Sequence, residues 1–254
     1  SGGLVWSGNA RPIPQVRAGF IDFVDIPFTK GWVQIKGELA YGKFMDNDFL
    51  RDHYNYYNQY ITTDALYHHK SISFRSNPDK PFVVTIGAEL AAQFGGTKRY
   101  YEKGILRDSL TMKSPTRLKD FFKILFPSSG DGQTNEGDQA YYYGNHVGQW
   151  NLSAEYRFKD NSSVRGYFEW YFDDASGMGK FNGWDGLWGL EYKSGKKNWL
   201  SNVVLEYLDM TNQSGPLNWC PSDYNDPKLD IEATGADDYY NNYFYNGWAH
   251  YGLS

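Results

Sequence analysis

Residues 150–172 read WNLSAEYRFKDNSSVRGYFEWYF, and their period decides the fold. Trp150, Leu152, Ala154, Tyr156 and Phe158 fall on one side of an extended chain. Asn151, Ser153, Glu155 and Arg157 fall on the other, because successive side chains alternate across a strand. After Asn161-Ser162-Ser163 the alternation resumes, with Val164, Gly166, Phe168, Trp170 and Phe172 opposite Arg165, Tyr167, Glu169 and Tyr171. A period of two on both sides of a short polar break predicts an antiparallel hairpin with one apolar and one polar face.

The same period recurs outward from this hairpin. Val33 to Lys43 sets Val33, Ile35, Leu39 and Tyr41 against Gln34, Lys36 and Glu38. Phe82 to Phe94 sets Val84, Ile86, Ala88 and Leu90 against Thr85, Glu89 and Gln93. Leu187 to Tyr192 sets Trp188, Leu190 and Tyr192 against Glu191, and Trp199 to Leu208 is apolar on both sides except for Asn202 and Glu206. Gln15 to Phe23 and Leu66 to Arg75 carry the pattern more weakly. These strands have the roughly 9–11 residue length that crosses a bilayer when tilted. Aromatic residues close the apolar rows, as in Trp150/Phe158 and Trp199/Tyr207, where interfacial girdles belong.

Composition agrees with strands rather than helices. Of 254 residues 19 % are aromatic and 27 are glycine, yet the mean hydropathy is −0.65. An apolar row averaged against a polar row gives that combination, and a chain so rich in rings is not disordered. No run of 18 apolar residues exists, which excludes a membrane-spanning helix. A net charge of −5 argues against a nucleic-acid partner. Cys220 is the sole cysteine, so no disulfide can form within the chain.

Six strands each place one glutamate opposite the main apolar row: Glu38, Glu89, Glu155, Glu169, Glu191 and Glu206. With Arg157 and Arg165 they form a charge ladder suited to a barrel lumen, although a water-facing sandwich sheet would read alike. One helical insertion is expected over 114–126, with Ser114 as N-cap, Pro115 in the first turn and Pro127 as terminator. Its Leu118, Phe121, Phe122 and Leu125 form one stripe, expected to pack across a barrel mouth or sheet end. The stretches 46–64, 128–139 and 212–238 read as long polar loops, against short links at 159–163 and 194–198.

The catalytic inventory is thin, and no catalytic residue, metal ligand or cofactor site is expected. The five histidines lack zinc-motif spacing, and adjacent His68 and His69 point to opposite faces of a strand. A glycosidase needs two carboxylates roughly 5–10 Å apart, for which Glu169 and Glu191 are the nearest pairing. Six glutamates at one per strand look like a ladder instead. Clusters mixing rings with amides and carboxylates suggest carbohydrate contact: Trp184 and Asp185, then Tyr239, Tyr240 and Asn241, then Trp248. An interfacial girdle would use the same rings.

Ordered strings along the chain resemble a known family. Leu66-Tyr67-His68-His69-Lys70, Gln93-Phe94-Gly95-Gly96 and Gly144-Asn145-His146-Val147-Gly148 are among them. Asp185-Gly186-Leu187-Trp188-Gly189-Leu190-Glu191, Gln213-Ser214-Gly215-Pro216 and Asp238-Tyr239-Tyr240-Asn241-Asn242 continue the series. The set is similar to the Wzi-like outer-membrane capsule-assembly family. That resemblance implies an 18-stranded antiparallel outer-membrane β-barrel, monomeric when complete, with helical elements on the periplasmic side. It also implies a lectin-like role, attaching capsular or other surface polysaccharide to the cell without catalysis. About eight to ten strands are too few for such a barrel, so the single domain over 1–254 reads as an internal stretch of it, facing outer-membrane lipid. The alternative is a soluble β-sandwich, either a carbohydrate-binding module or a glycoside hydrolase.

Overall fold

In a computed structural model the described residues are 4–5, 12–45, 48–135, 138–139, 142–173, 183–196, 199–212, 239, 242–245 and 248. The alternating segments become strands β1 (Gln15–Asp25), β2 (Val33–Lys43), β3 (Gln59–Ser76) and β4 (Phe82–Glu102). Two short strands follow, β5 (Ile105–Leu106) and β6 (Met112–Lys113). Then come β7 (Asn145–Arg157), β8 (Ser163–Phe172), β9 (Gly186–Lys193) and β10 (Asn202–Asp209). Two helices interrupt them, α1 (Phe49–Tyr54) and α2 (Leu118–Leu125).

All ten strands form one antiparallel sheet in the order β1-β2-β3-β4-β7-β8-β9-β10, with β5 and β6 paired to β4. The described residues are therefore all-β, and the sheet is open: β1 and β10 each pair on one side only. The short links from β1 to β2, β3 to β4, β7 to β8 and β9 to β10 lie at one end of the sheet, and the longer connections at the other. The 158–162 turn shows why these links are short. Asn161 adopts a positive φ of 64°, which Asn tolerates, while the Asp160 carboxylate accepts the Ser162 backbone N–H at 3.0 Å.

The register sorts the two faces. Glu38, Ser71, Glu89, Gln149 and Tyr171 lie in one cross-strand row, and Glu155, Arg165, Glu191 and Val204 in another. Both rows belong to the same charged face. The other face carries Gly37, Ile72, Ala88, Trp150 and Trp170 in one row, and Val84, Ala154, Gly166, Leu190 and Leu205 in another. At the long-loop end both faces are covered. On the charged face Tyr67, Ala91, Val147 and Tyr171 pack with Ile13, Tyr239, Leu4, Val5, Phe44 and Trp248. On the apolar face Ala92 and Phe94 pack with Ile124, Tyr143 and Phe121.

Four expectations change. The helix starts at Leu118 rather than after Ser114, because the Ser114 N–H is donated to the Gly96 carbonyl and the Pro115 carbonyl accepts from the Tyr143 hydroxyl. Arg117 is its N-cap residue, with its N–H held by Asp120 at 2.7 Å. β3 and β4 run well past Leu66 and Phe94, as a hairpin that rises beyond β7 into the region read as loop. Trp199 lies in the turn before β10, not in the strand.

Candidate functional site

The eight ladder residues Glu38, Glu89, Glu155, Arg157, Arg165, Glu169, Glu191 and Glu206 share the charged face. Each glutamate has a partner. Glu38 pairs with Arg17 and, at 3.2 Å, with Nδ1 of His69, whose Nε2 meets Glu89 at 2.7 Å. Arg157 holds Glu155 at 3.1 Å, and Arg165 and Lys193 flank Glu191 at 3.6 and 3.3 Å. Glu169 accepts the Leu4 backbone N–H at 3.1 Å, which fixes a distant segment of chain to the sheet. Tyr167 crosses Gly189 on the neighbouring strand to donate its hydroxyl to Glu206 on the next. A Cβ on Gly189 would lie 1.9 Å from the Tyr167 ring, so this position needs glycine to let the ring pass.

Glu169 and Glu191 do not form a dyad. Glu191 is opposite Arg165, four residues along β8 from Glu169, which puts their backbones about 13 Å apart at the usual strand rise. His69 lies on the charged face and His68 on the apolar one, against Tyr41 at 4.5 Å between ring centroids. Nε2 of His146 meets the Tyr143 carbonyl at 2.9 Å. Among the described residues no group of three His, Cys, Asp or Glu has the arrangement that holds a metal ion.

The aromatic candidates divide between the two faces. Trp184 stacks on Trp170 at 5.5 Å and lies beside Phe168 and Trp188, which stack on each other at 4.0 Å; all four are rings of the apolar side. Asp185 is fully buried and accepts the Asn212 N–H at 3.0 Å and the Tyr239 hydroxyl at 3.0 Å. Tyr239 packs edge-on against Tyr171 in the core of the charged side. Trp248 packs on Phe44 beside it. Tyr240 and Asn241 lie outside the described residues. The expected set is therefore not one surface.

A different surface at the long-loop end has the makings of a site. A basin of about 450 Å³ is lined by Lys43, Asp48, Arg51, Asp64, Arg99 and Tyr101, with Phe44 joining it to the core below. Arg51 is held by Asp48 at 3.2 Å and Asp52 at 2.9 Å, Lys43 pairs with Asp64, and Arg99 donates to the Thr63 hydroxyl at 2.8 Å. That volume is in the range of small-ligand pockets. Three cations and two carboxylates line it, so both donors and acceptors for a hydroxyl-rich ligand are present. Exposed Tyr56 and Tyr57 follow α1 on the same end. Sequence reasoning missed the basin because it joins three separate segments. The Tyr- and Asn-rich run at 54–60 was its only trace.

The apolar face presents itself to the surroundings. Ile72, Phe74, Phe82, Ile86, Leu152, Tyr156, Trp188, Leu190, Leu205 and Tyr207 are each between 37 % and 69 % exposed. From the short-turn end up to Lys70, Asp209 at the end of β10 is the one charged residue among the described paired positions on this face. No described helix is long and apolar enough to cross a membrane. No protein family, curated relative or solved structure matches this chain.

Proposed function

We propose that the chain is a wall section of an outer-membrane-type β-barrel whose long-loop end holds capsular or other surface polysaccharide without turning it over. One observation carries the barrel reading: an exposed apolar face over eight strands, with Asp209 its one charged paired position below the Lys70 row, backed by a face of paired charges. Soluble monomers rarely expose contiguous apolar patches beyond a few hundred Å², and each large side chain left in water forgoes about 1.5–3 kcal/mol. A sandwich would cover this face with a second sheet, and the described strands make one sheet only.

The open edges support the same reading. Among the described residues, the outward sides of β1 and β10 leave rows of backbone N–H and C=O groups without ladder partners. In a bilayer such groups must be paired, so the barrel is completed by further strands on both sides. Short turns at one end and long connections at the other match the two rims of such barrels, with the long loops outward. The basin then faces the cell exterior, and so do α1 and α2, in place of the periplasmic helices that the resemblance implies. Its mixed charges, together with the ordered strings that resemble the capsule-assembly family, support polysaccharide as the ligand and the outer membrane as the location.

Binding is read by retention on immobilised capsular polysaccharide. Arg99→Ala and Arg51→Ala are expected to lower retention severalfold, and Trp184→Ala, on the apolar side, to leave it unchanged. Loss confined to Trp184→Ala would overturn the assignment of the basin. No reducing sugar is expected from any capsule preparation; release that disappears with Glu89→Gln or Glu169→Gln would overturn the non-catalytic reading.

A further inference from the structure

We infer that α2 is an interfacial helix, which lays its outward stripe into membrane lipid at the long-loop rim of the apolar face. The inference rests on the barrel reading and adds a second contact surface to it.

The helix is fixed to the apolar side of the sheet rather than to a barrel mouth. Ile124 is fully buried against Ala92, Phe94 and Tyr143. Phe121 packs on Phe94 and Tyr41, with ring centroids 5.2 and 5.3 Å apart. Polar groups of the same face complete the anchorage. Lys70 donates its ammonium to the Ile124 and Leu125 carbonyls at the C-terminus of the helix, where a cation is favoured, and the Tyr41 hydroxyl donates to the Phe121 carbonyl.

With its inner side filled this way, the helix turns a second apolar stripe outward. Leu118, Phe122 and Phe126 recur every four residues and are 77 %, 57 % and 70 % exposed. A helix packing in water would put polar residues there. The polar residues lie instead along one edge, where Arg117, Lys119 and Lys123 converge on Asp131 at 2.8, 3.0 and 3.7 Å. Even counting Asp120, cations outnumber carboxylates along this edge, which suits phosphate headgroups. The stripe sits on the same side of the sheet as exposed Ile72, Phe74 and Ile86, so it extends an apolar surface that the barrel reading already gives to lipid. These two features, continuity and the cationic edge, point to lipid as the occupant rather than a second protein.

The test places an environment-sensitive fluorophore on single cysteines in a Cys220→Ser background. The full chain is reconstituted in phosphatidylcholine vesicles with and without lipid spin-labelled near the headgroup end of the acyl chain. Phe122→Cys and Leu118→Cys are exposed positions whose replacement leaves the core intact, and circular dichroism checks the fold. Spin-labelled lipid is expected to quench both by about twofold or more, since an interfacial helix sits roughly 5–10 Å into the boundary, and to spare Lys119→Cys. Ile86→Cys on the sheet is the control for the barrel itself. Quenching at Ile86→Cys with none at Phe122→Cys or Leu118→Cys overturns the helix inference and leaves the barrel standing. No quenching at any of the four positions overturns both.

Discussion

On the charged face of the sheet every ladder glutamate meets an arginine, lysine, histidine, tyrosine or backbone N–H, whereas apolar side chains beside them on the other face, such as Tyr156, Leu190 and Leu205, stay more than a third exposed. Along β7 the two environments alternate residue by residue: Asn151, Ser153 and Glu155 on one side, Leu152, Ala154 and Tyr156 on the other. In the proposed barrel wall this alternation lets one strand serve water on one side and lipid on the other. The comparison also explains why a low mean hydropathy and an exposed apolar face coexist, since each average includes both rows.

The sharpest way to break the comparison is to put the same charge on both faces. Leu152→Arg is expected to cost about 2–4 kcal/mol of folding free energy in bilayers, the known penalty for a cation on the lipid side of a barrel. Ser153→Arg, one residue along, should stay within about 0.5 kcal/mol as a water-facing substitution. Urea titration of vesicle-inserted protein measures both. Equal penalties would mean that the faces do not differ in environment.

A smaller effect tests how the charged face is stitched across strands. Gly189→Val should force Tyr167 off the strand it crosses and break its bond to Glu206, at an overpacking cost of about 1–3 kcal/mol. Tyr167→Phe keeps the ring and removes only the hydroxyl, for about 0.5–1.5 kcal/mol. A cost for Gly189→Val no larger than that for Tyr167→Phe would show that the close approach is not what matters.

The smallest expected effect concerns the clasp beside α2. The Lys119 ammonium, the Gln133 N–H and the Arg117 guanidinium hold the Asp131 carboxyl well below its ordinary range. A carboxyl depressed in the folded state stabilises above its unfolded pKa and loses that contribution as pH falls. The thermal midpoint of the wild type should therefore exceed that of Asp131→Asn at pH 7, and the gap should shrink progressively below about pH 4. A gap that is constant with pH would remove the charge of Asp131 from the account.

Much of this architecture was legible in the period of the chain. β1, β2 and β8 lie within two residues of their expected bounds, and all six glutamates fall on one face as their spacing implied. The upper parts of β3 and β4 were not legible. Gln59–Ala65 lacks an apolar row, and Gly95 and Gly96, both at positive φ, interrupt the pattern of β4 where the strand continues. That hairpin is specified by its pairing partner rather than by its own alternation. The helix was placed three residues early because Ser114 and Pro115 carry capping signals whose backbone groups are used by Gly96 and Tyr143 instead. Candidate sugar contacts were the least legible. Trp184 stacks on the apolar side while Asp185 binds the Tyr239 hydroxyl in the core of the charged side, since neighbours along an extended chain point to opposite faces.

The central claim is that the apolar face of the sheet lies in lipid. Spin labels placed one at a time from Asn151 to Glu155 in a Cys220→Ser background, with the chain in bilayers, test it most directly. Collision with oxygen reports lipid, and collision with a water-soluble nickel chelate reports water. The account predicts oxygen-favoured collisions at Leu152 and Ala154 and chelate-favoured collisions at Asn151, Ser153 and Glu155, a strict period of two. Chelate access that is equally high at all five positions would contradict it.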